Sequence, residues 1–357
     1  MSSGANCNTV VKKLDSRQLW FTNPFEIEIR EQQLEAPSSN HVLIKNLYSA
    51  VSAGTELLVF RGQLPANMTL DANLAALASE EIGYPLRYGY ACVGKIEQVG
   101  SDIDDSLIGE IVFSFQPHGS HFSCALNEVI AVPGDIDPKA AVFLANMETA
   151  VNLLHDGNPR IGSRVVVIGQ GIVGLLVSSL LAKHPLSGVF ALDSIDKRRI
   201  WAKKAGLDGV FSSQSRDELA ELKDKLKFSD DNGGADLVYE LSGNPDALNI
   251  AIELCGYSGR IVIGSWYGAK SSKVNLGGHF HRNRTEIISS QVSSIAPDLS
   301  GRWDKQRRFE VAWEMIKRCQ PEQFITHCLP FDSAKEAYEL LDNSPQEALQ
   351  VVFEYEI

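Results

Sequence analysis

The sequence predicts a two-domain α/β protein, in which a β-rich N-terminal portion leads into a parallel sheet covered by helices on both faces. Three observations carry this. The 357 residues exceed what one hydrophobic core ordinarily serves and suit two domains. The first third alternates short apolar runs with Gly and Pro, the texture of strands and turns. From about residue 140, short continuous apolar runs alternate with helical segments, the pattern of strands buried on both sides.

In chain order, HVLIKNLYSAV (41–51), ACVGKIEQVG (91–100) and EIVFSF (110–115) read as strands. Between the first two, LDANLAALASEEIG, within 62–87, reads as a short helix. FLANMETAVNLLHDG is an amphipathic helix. Then come the strand RVVVIG (164–169), the helix IVGLLVSSLLAK, the strand GVFALD (188–193) and the helix KRRIWAKKAG. The strand DLVYEL (236–241), the helix PDALNIAIELCG and the strand GRIVIGS (259–265) complete the series. A charged helix, RWDKQRRFEVAWEMIKRC, leads to a short α/β tail ending in ALQVVFEYEI. The expected division sets 1–146 with 295–357 as one domain and 147–294 as the other.

An apolar fraction of 44% with 22% charged residues fits a folded, soluble chain. A net charge of −12 disfavours nucleic acid or an acidic membrane as partner. No run approaches the ~18 apolar residues of a membrane span, and the start lacks the apolar core of a secretory signal. The six cysteines are scattered without a CxxC pair, which suits a reducing compartment. A cytoplasmic protein is expected.

The sharpest motif is VVVIGQGIVG, in which Gly169, Gly171 and Gly174 form G-x-G-x-x-G, with Ile172 and Val173 between the last two. It follows a strand, opens a helix and precedes a second strand ending in Asp193, the context that makes the motif a dinucleotide site. Gly169 permits the tight turn, Gly171 lets backbone approach a pyrophosphate, and Gly174 lets helix and strand pack closely. Asp193, with Ser194 beside it, is placed to accept hydrogen bonds from the adenosine ribose. Its charge would repel a 2′-phosphate, so NAD is expected over NADP. Lys197, Arg198 and Arg199 follow; they read as a solvated first helical turn, with Arg198 also a candidate at the cofactor's edge.

Along nearly its whole length the chain resembles the medium-chain dehydrogenase/reductase superfamily. The resemblance rests on SAVSAGTELLVFRG (49–62), YGYACVGKIEQVG (88–100), VVVIGQGIVGLL, GADLVYELSGNPDALNIAIELCGYSGRIVIGS (234–265) and AKEAYELLDNSPQEALQVVF. SAGTE is similar to the bacteriochlorophyllide dehydrogenase-like branch. The resemblance implies a GroES-like substrate domain beside a Rossmann domain. It makes Ser242, Gly243, Asn244 and Gly264 cofactor-side candidates. Members with catalytic zinc carry ligands where this chain has Ala53, Tyr90 and Leu144, and their structural-zinc cysteines are absent too. Ala and Leu cannot ligate zinc, so the resemblance implies the cofactor and no zinc.

Hydride transfer to a carbonyl leaves an alkoxide that needs a proton or hydrogen-bond donors. Tyr90, in the place of a lost ligand, is either that donor or a ring packed between domains. Thr55 matches the family's substrate-binding hydroxyl, and Glu56 either meets substrate or braces the turn. Glu148 is an acid/base candidate if burial raises its pKa, or else a cap on neighbouring backbone. His118 and His121 are substrate contacts or solvated loop residues; without a third ligand their spacing is not a metal site. Trp266 is a further substrate candidate. GGHFHRNR gathers His279, His281, Arg282 and Arg284 in an acidic protein, for an anionic substrate or for interface salt bridges.

The function expected is a zinc-independent, NAD-dependent interconversion of an alcohol and a ketone on a small substrate, anionic or polyhydroxylated. Reduction of an activated C=C bond, redox-neutral chemistry on tightly held NAD, and a non-catalytic cofactor-binding subunit are the alternatives. A homodimer is expected, through edge pairing by TEIISSQVSS and the closing strand VVFEYEI.

Overall fold

The computed structural model describes residues 13–65, 83–227 and 233–356. The helix expected in LDANLAALASEEIG lies, but for its last residue, outside them. The described residues open with a hairpin of β1 (Leu14–Asn23) and β2 (Glu26–Leu34). Next come β3 (His41–Ala50), α1 (Ala53–Phe60), β4 (Cys92–Val99), β5 (Ile111–Ser114), β6 (His121–Ala125) and β7 (Val129–Ala131). Two helices, α2 (Pro138–Ala141) and α3 (Leu144–Gly157), lead out of this region.

The second unit alternates strand and helix as predicted: β8 (Arg164–Ile168), α4 (Ile172–Leu181), β9 (Gly188–Asp193), α5 (Asp196–Lys204), β10 (Gly209–Ser212), α6 (Arg216–Lys225), β11 (Ala235–Glu240), α7 (Ala247–Leu254), β12 (Cys255–Ile263) and β13 (Glu286–Ser289). Its six strands are all parallel, in the order β10-β9-β8-β11-β12-β13. This is the doubly wound dinucleotide-binding arrangement, whose strand order reverses between β8 and β11. Val165, Val166 and Val167 of β8 are wholly buried because helices cover both faces. α4 has only Ser to interrupt its apolar run and sits between β8, α3 and α8.

α8 (Lys305–Cys319) returns the chain to the first unit through β14 (Ile325–Pro330), α9 (Ala334–Asn343) and β15 (Gln350–Glu354). The first unit's sheet runs β14-β15-β3-β4-β5-β7, with β6 also on β3. One expectation is corrected here: the closing strand β15 is not an edge. It lies between β14 and β3, and Val352 and Phe353 pair with Ala50 and Ser49. The edge strands of the parallel sheet are β10 and β13. Among the described residues, no helix is long and apolar enough to cross a membrane.

Candidate active site

Dinucleotides bind outside the carboxyl ends of such a sheet, where the strand order reverses. Gly169 follows β8 there with φ of 92°, a conformation glycine adopts without strain. A Cβ on it would lie 2.6 Å from Ser242 at the end of β11. A Cβ on Gly174 would overlap the Gly169 carbonyl oxygen, so helix and turn pack backbone to backbone. Gly171 differs: a Cβ there would meet nothing within 4 Å. It is the N-cap of α4 and offers no side-chain cap, with Ile172 and Val173 opening the helix. Open space against uncapped N–H groups is what a pyrophosphate needs, so these residues fit the nicotinamide dinucleotide that the fold implies.

Asp193 ends β9 and is buried. Its carboxylate accepts the N–H groups of Gln170 (2.6 Å) and Ile195 (2.8 Å), which tie the turn to β9. Ser194 is exposed beside it. The three basic residues that follow have protein partners: Lys197 bonds Glu347, Arg198 the Pro345 carbonyl at 3.4 Å, and Arg199 the Asp193 carbonyl at 2.8 Å and Asp196.

Across the reversal, the end of β11 holds a residue that sequence reasoning missed. Glu240 is wholly buried. Its carboxylate accepts the Ser242 N–H (2.9 Å), the Ser242 hydroxyl and the Tyr267 phenol (2.6 Å). Burial and then the Glu240 carboxylate push the Tyr267 phenol far above its ordinary pKa, so it stays a donor. Gly243 donates to Ser265 (2.9 Å), the Gly243 carbonyl accepts from Lys270 (2.9 Å), and Asn244 donates to Ser242. Gly264 follows β12 and packs against Leu153 and Leu241. Trp266 follows, about a third exposed at 37%. The loop then meets the first unit, where Ala269 donates to the Gln63 carbonyl (3.1 Å) and Gly268 faces Leu58 of α1.

That contact sets α1 across from the carboxyl end of β12. At the N-terminus of α1 three hydroxyls converge. The Tyr90 hydroxyl bonds Ser52 and lies 3.4 Å from Thr55. Tyr90 is half-buried and packs against the cores of both units, as the reading of a ring packed between domains expects. Ser52 carries no motif, which is why sequence reasoning passed over it. Beneath lies Glu56, which accepts the Ser52 N–H at 2.7 Å, the Tyr338 hydroxyl, and His118 at 3.0 Å. The other nitrogen of His118 meets Ser49 (2.7 Å). Glu56 and His118 have no exposed side-chain surface. This corrects their place as substrate contacts: they fix α1 from below.

Three further expectations are corrected by position. Glu148, on α3, is buried against Arg308 of α8, whose Nε (3.0 Å) and Nη2 (2.7 Å) both donate to one of its carboxylate oxygens. Burial pushes the Glu148 carboxyl up while Arg308 pulls it back. The group is a cross-link between helices, not a free acid/base. His121 begins β6 and lies 3.7 Å from Glu97 of β4, in the sheet and not on a loop. His279, His281, Arg282 and Arg284 are exposed, but at the wrong end of the sheet. Asn283 accepts from Ser258 near the start of β12 and donates towards Cys255. Strand length, at about 3.3 Å per residue, separates that end from the carboxyl edge where Gly264 stands.

At the zinc-ligand positions implied by the family stand Ala53, Tyr90, committed to Ser52 and Thr55, and Leu144, wholly buried in the core. This donor set does not fit a catalytic zinc ion. Among the described residues, no three His, Cys, Asp or Glu side chains gather as a metal-holding group.

A doubly wound dinucleotide turn facing a β-rich second unit defines the class of two-domain nicotinamide dehydrogenases. Residues 173–313 match the family model described as zinc-binding dehydrogenase. D-guloside 3-dehydrogenase of Escherichia coli (strain K12) is 27% identical over 350 residues, 94% of this chain and 99% of its own. L-threonine 3-dehydrogenase of Bacillus velezensis is 24% identical over 269 residues, 67% of this chain and 72% of its own. An alcohol dehydrogenase from E. coli CFT073, solved with NADH, superposes with a TM-score of 0.76 at 18% identity, covering 95% of this chain and 99% of that one. The chain is thus similar, over nearly its whole length, to zinc-type alcohol dehydrogenase-like members of the medium-chain dehydrogenase/reductase superfamily.

Proposed function

We propose that this chain is an NAD-linked dehydrogenase that interconverts a secondary alcohol and a ketone on a small polyhydroxylated substrate. Tyr90 moves the proton, and no catalytic zinc takes part. The observation that carries this is the convergence of the Tyr90, Ser52 and Thr55 hydroxyls at the N-terminus of α1, where the family resemblance sets metal ligands. The nicotinamide, when bound, supplies the hydride acceptor or donor. In the reducing direction the Tyr90 O–H donates its proton to the ketone oxygen as the alkoxide develops; in oxidation Tyr90 receives it. Ser52 and Thr55 hold the phenol oxygen in place, and Glu56 with His118 keeps α1 from shifting. The D-guloside relative supports a sugar-like substrate. Asp193, and the partners that already engage Lys197, Arg198 and Arg199, support NAD over NADP. The edge position of β13 supports a homodimer paired along that strand.

The test is Tyr90→Phe, assayed for NADH formation on a panel of glycosides and polyols. The expected loss in kcat is about 10²–10⁴-fold, with NADH affinity unchanged. Wild-type turnover in Tyr90→Phe, or activity that vanishes with a chelator and returns with zinc, overturns the reading.

A further inference from the structure

We propose that the buried carboxylate of Glu240 makes the site prefer the oxidised over the reduced dinucleotide. The inference rests on the nicotinamide reading above and concerns the redox state of the cofactor, not its identity. Glu240 ends β11, on the opposite side of the strand-order reversal from Asp193. A dinucleotide lying across that reversal, with its adenosine ribose at Asp193, sets its other nucleoside over β11 and β12.

Three neutral donors, the Ser242 N–H, the Ser242 hydroxyl and the Tyr267 phenol, converge on the carboxylate. They satisfy its lone pairs without cancelling its charge. A buried charge satisfied only by dipoles acts over several ångströms, because little water screens it. The nicotinamide ring carries a positive charge when oxidised and none when reduced, so a fixed negative charge beneath that half favours the oxidised form. Lys270 opposes it. Its ammonium holds the Gly243 carbonyl at 2.9 Å, and burial and Arg61 depress its pKa while Glu240 raises it. Glu240 and Lys270 thus act on the same half with opposite signs, and the balance between them sets the preference.

The experiment measures Kd for NAD⁺, NADH and ADP-ribose in the wild type, Glu240→Gln and Lys270→Met. ADP-ribose lacks the nicotinamide and reports the other half alone. Glu240→Gln is expected to raise the ratio Kd(NAD⁺)/Kd(NADH) about tenfold, equivalent to ~1.4 kcal/mol, with ADP-ribose affinity unchanged. Lys270→Met is expected to lower that ratio about threefold. A purely structural role weakens all three ligands together and cannot give opposite signs. If Glu240→Gln does not fold, Lys270→Met decides alone. An unchanged ratio with normal binding overturns this proposal; failure of the wild type to bind any of the three overturns the nicotinamide reading itself.

Discussion

Arg308 is fully buried and holds Glu148, the Asn152 side chain (2.6 Å) and the Ser294 carbonyl (2.9 Å), along with the Val292 carbonyl. It therefore joins α3, α8 and the segment between β13 and α8. Glu148→Gln leaves the guanidinium buried with a neutral partner. Breaking one side of a buried ion pair costs about 3–5 kcal/mol, and Gln keeps one acceptor, so the expectation is about 3 kcal/mol. For a domain of this size, that lowers Tm by roughly 6–12 °C. Thermal unfolding is followed by tryptophan fluorescence, since Trp313 lies on α8 itself. The single variants Glu148→Gln and Arg308→Met are compared with the double variant. The double is expected to lose at least ~2 kcal/mol less than the two singles summed, because removing both charges leaves no buried ion unpaired. Activity of folded Glu148→Gln is expected to survive. Additivity within ~0.5 kcal/mol, or loss of turnover with unchanged Tm, would refute the cross-link and restore Glu148 as an acid/base residue.

Two other outcomes follow. Gly171→Ala adds a Cβ that meets no protein atom, so Tm is expected to hold while NADH binding, read by fluorescence titration, weakens about tenfold; unchanged affinity would show that the pyrophosphate lies elsewhere. His121 and His155 both have pKa values lowered, first by burial. The unfolded chain binds those protons more readily, so the stability they permit is present above the unfolded value of about 6.5 and is lost as pH falls below it. Replacing both with Asn is expected to flatten the fall in Tm between pH 7 and 5, and an equally steep fall counts against it.

Much of the fold was legible because periodicity reports local structure. The strands and helices from 164 to 265 were readable, and the dinucleotide turn with them, since each of its glycines does a local job. The candidate site was legible only in part. Tyr90 and Thr55 stood out as departures from, or matches to, a family pattern, but Ser52 is an ordinary serine until the chain folds. Glu240 read as the end of an apolar strand, and nothing local reveals that Tyr267, on another strand's loop, reaches it. His118 was misjudged because a loop position says little about burial when Ser49 and Glu56 close over the ring. The basic segment 277–284 was misplaced because sequence pattern does not say at which end of a strand a connection docks.

The position of β15 bears on how the chain is made. Residues 350–354 supply a central strand between β14 and β3, some three hundred residues after β3 is synthesised. The doubly wound unit, by contrast, is contiguous and can form while the ribosome is still translating. The β-rich unit thus closes after the doubly wound one, and β3 lacks its β15 partner until residues 350–354 emerge. Removing residues 350–354 would leave the nucleotide unit intact while taking away the strand on which the first unit's sheet depends.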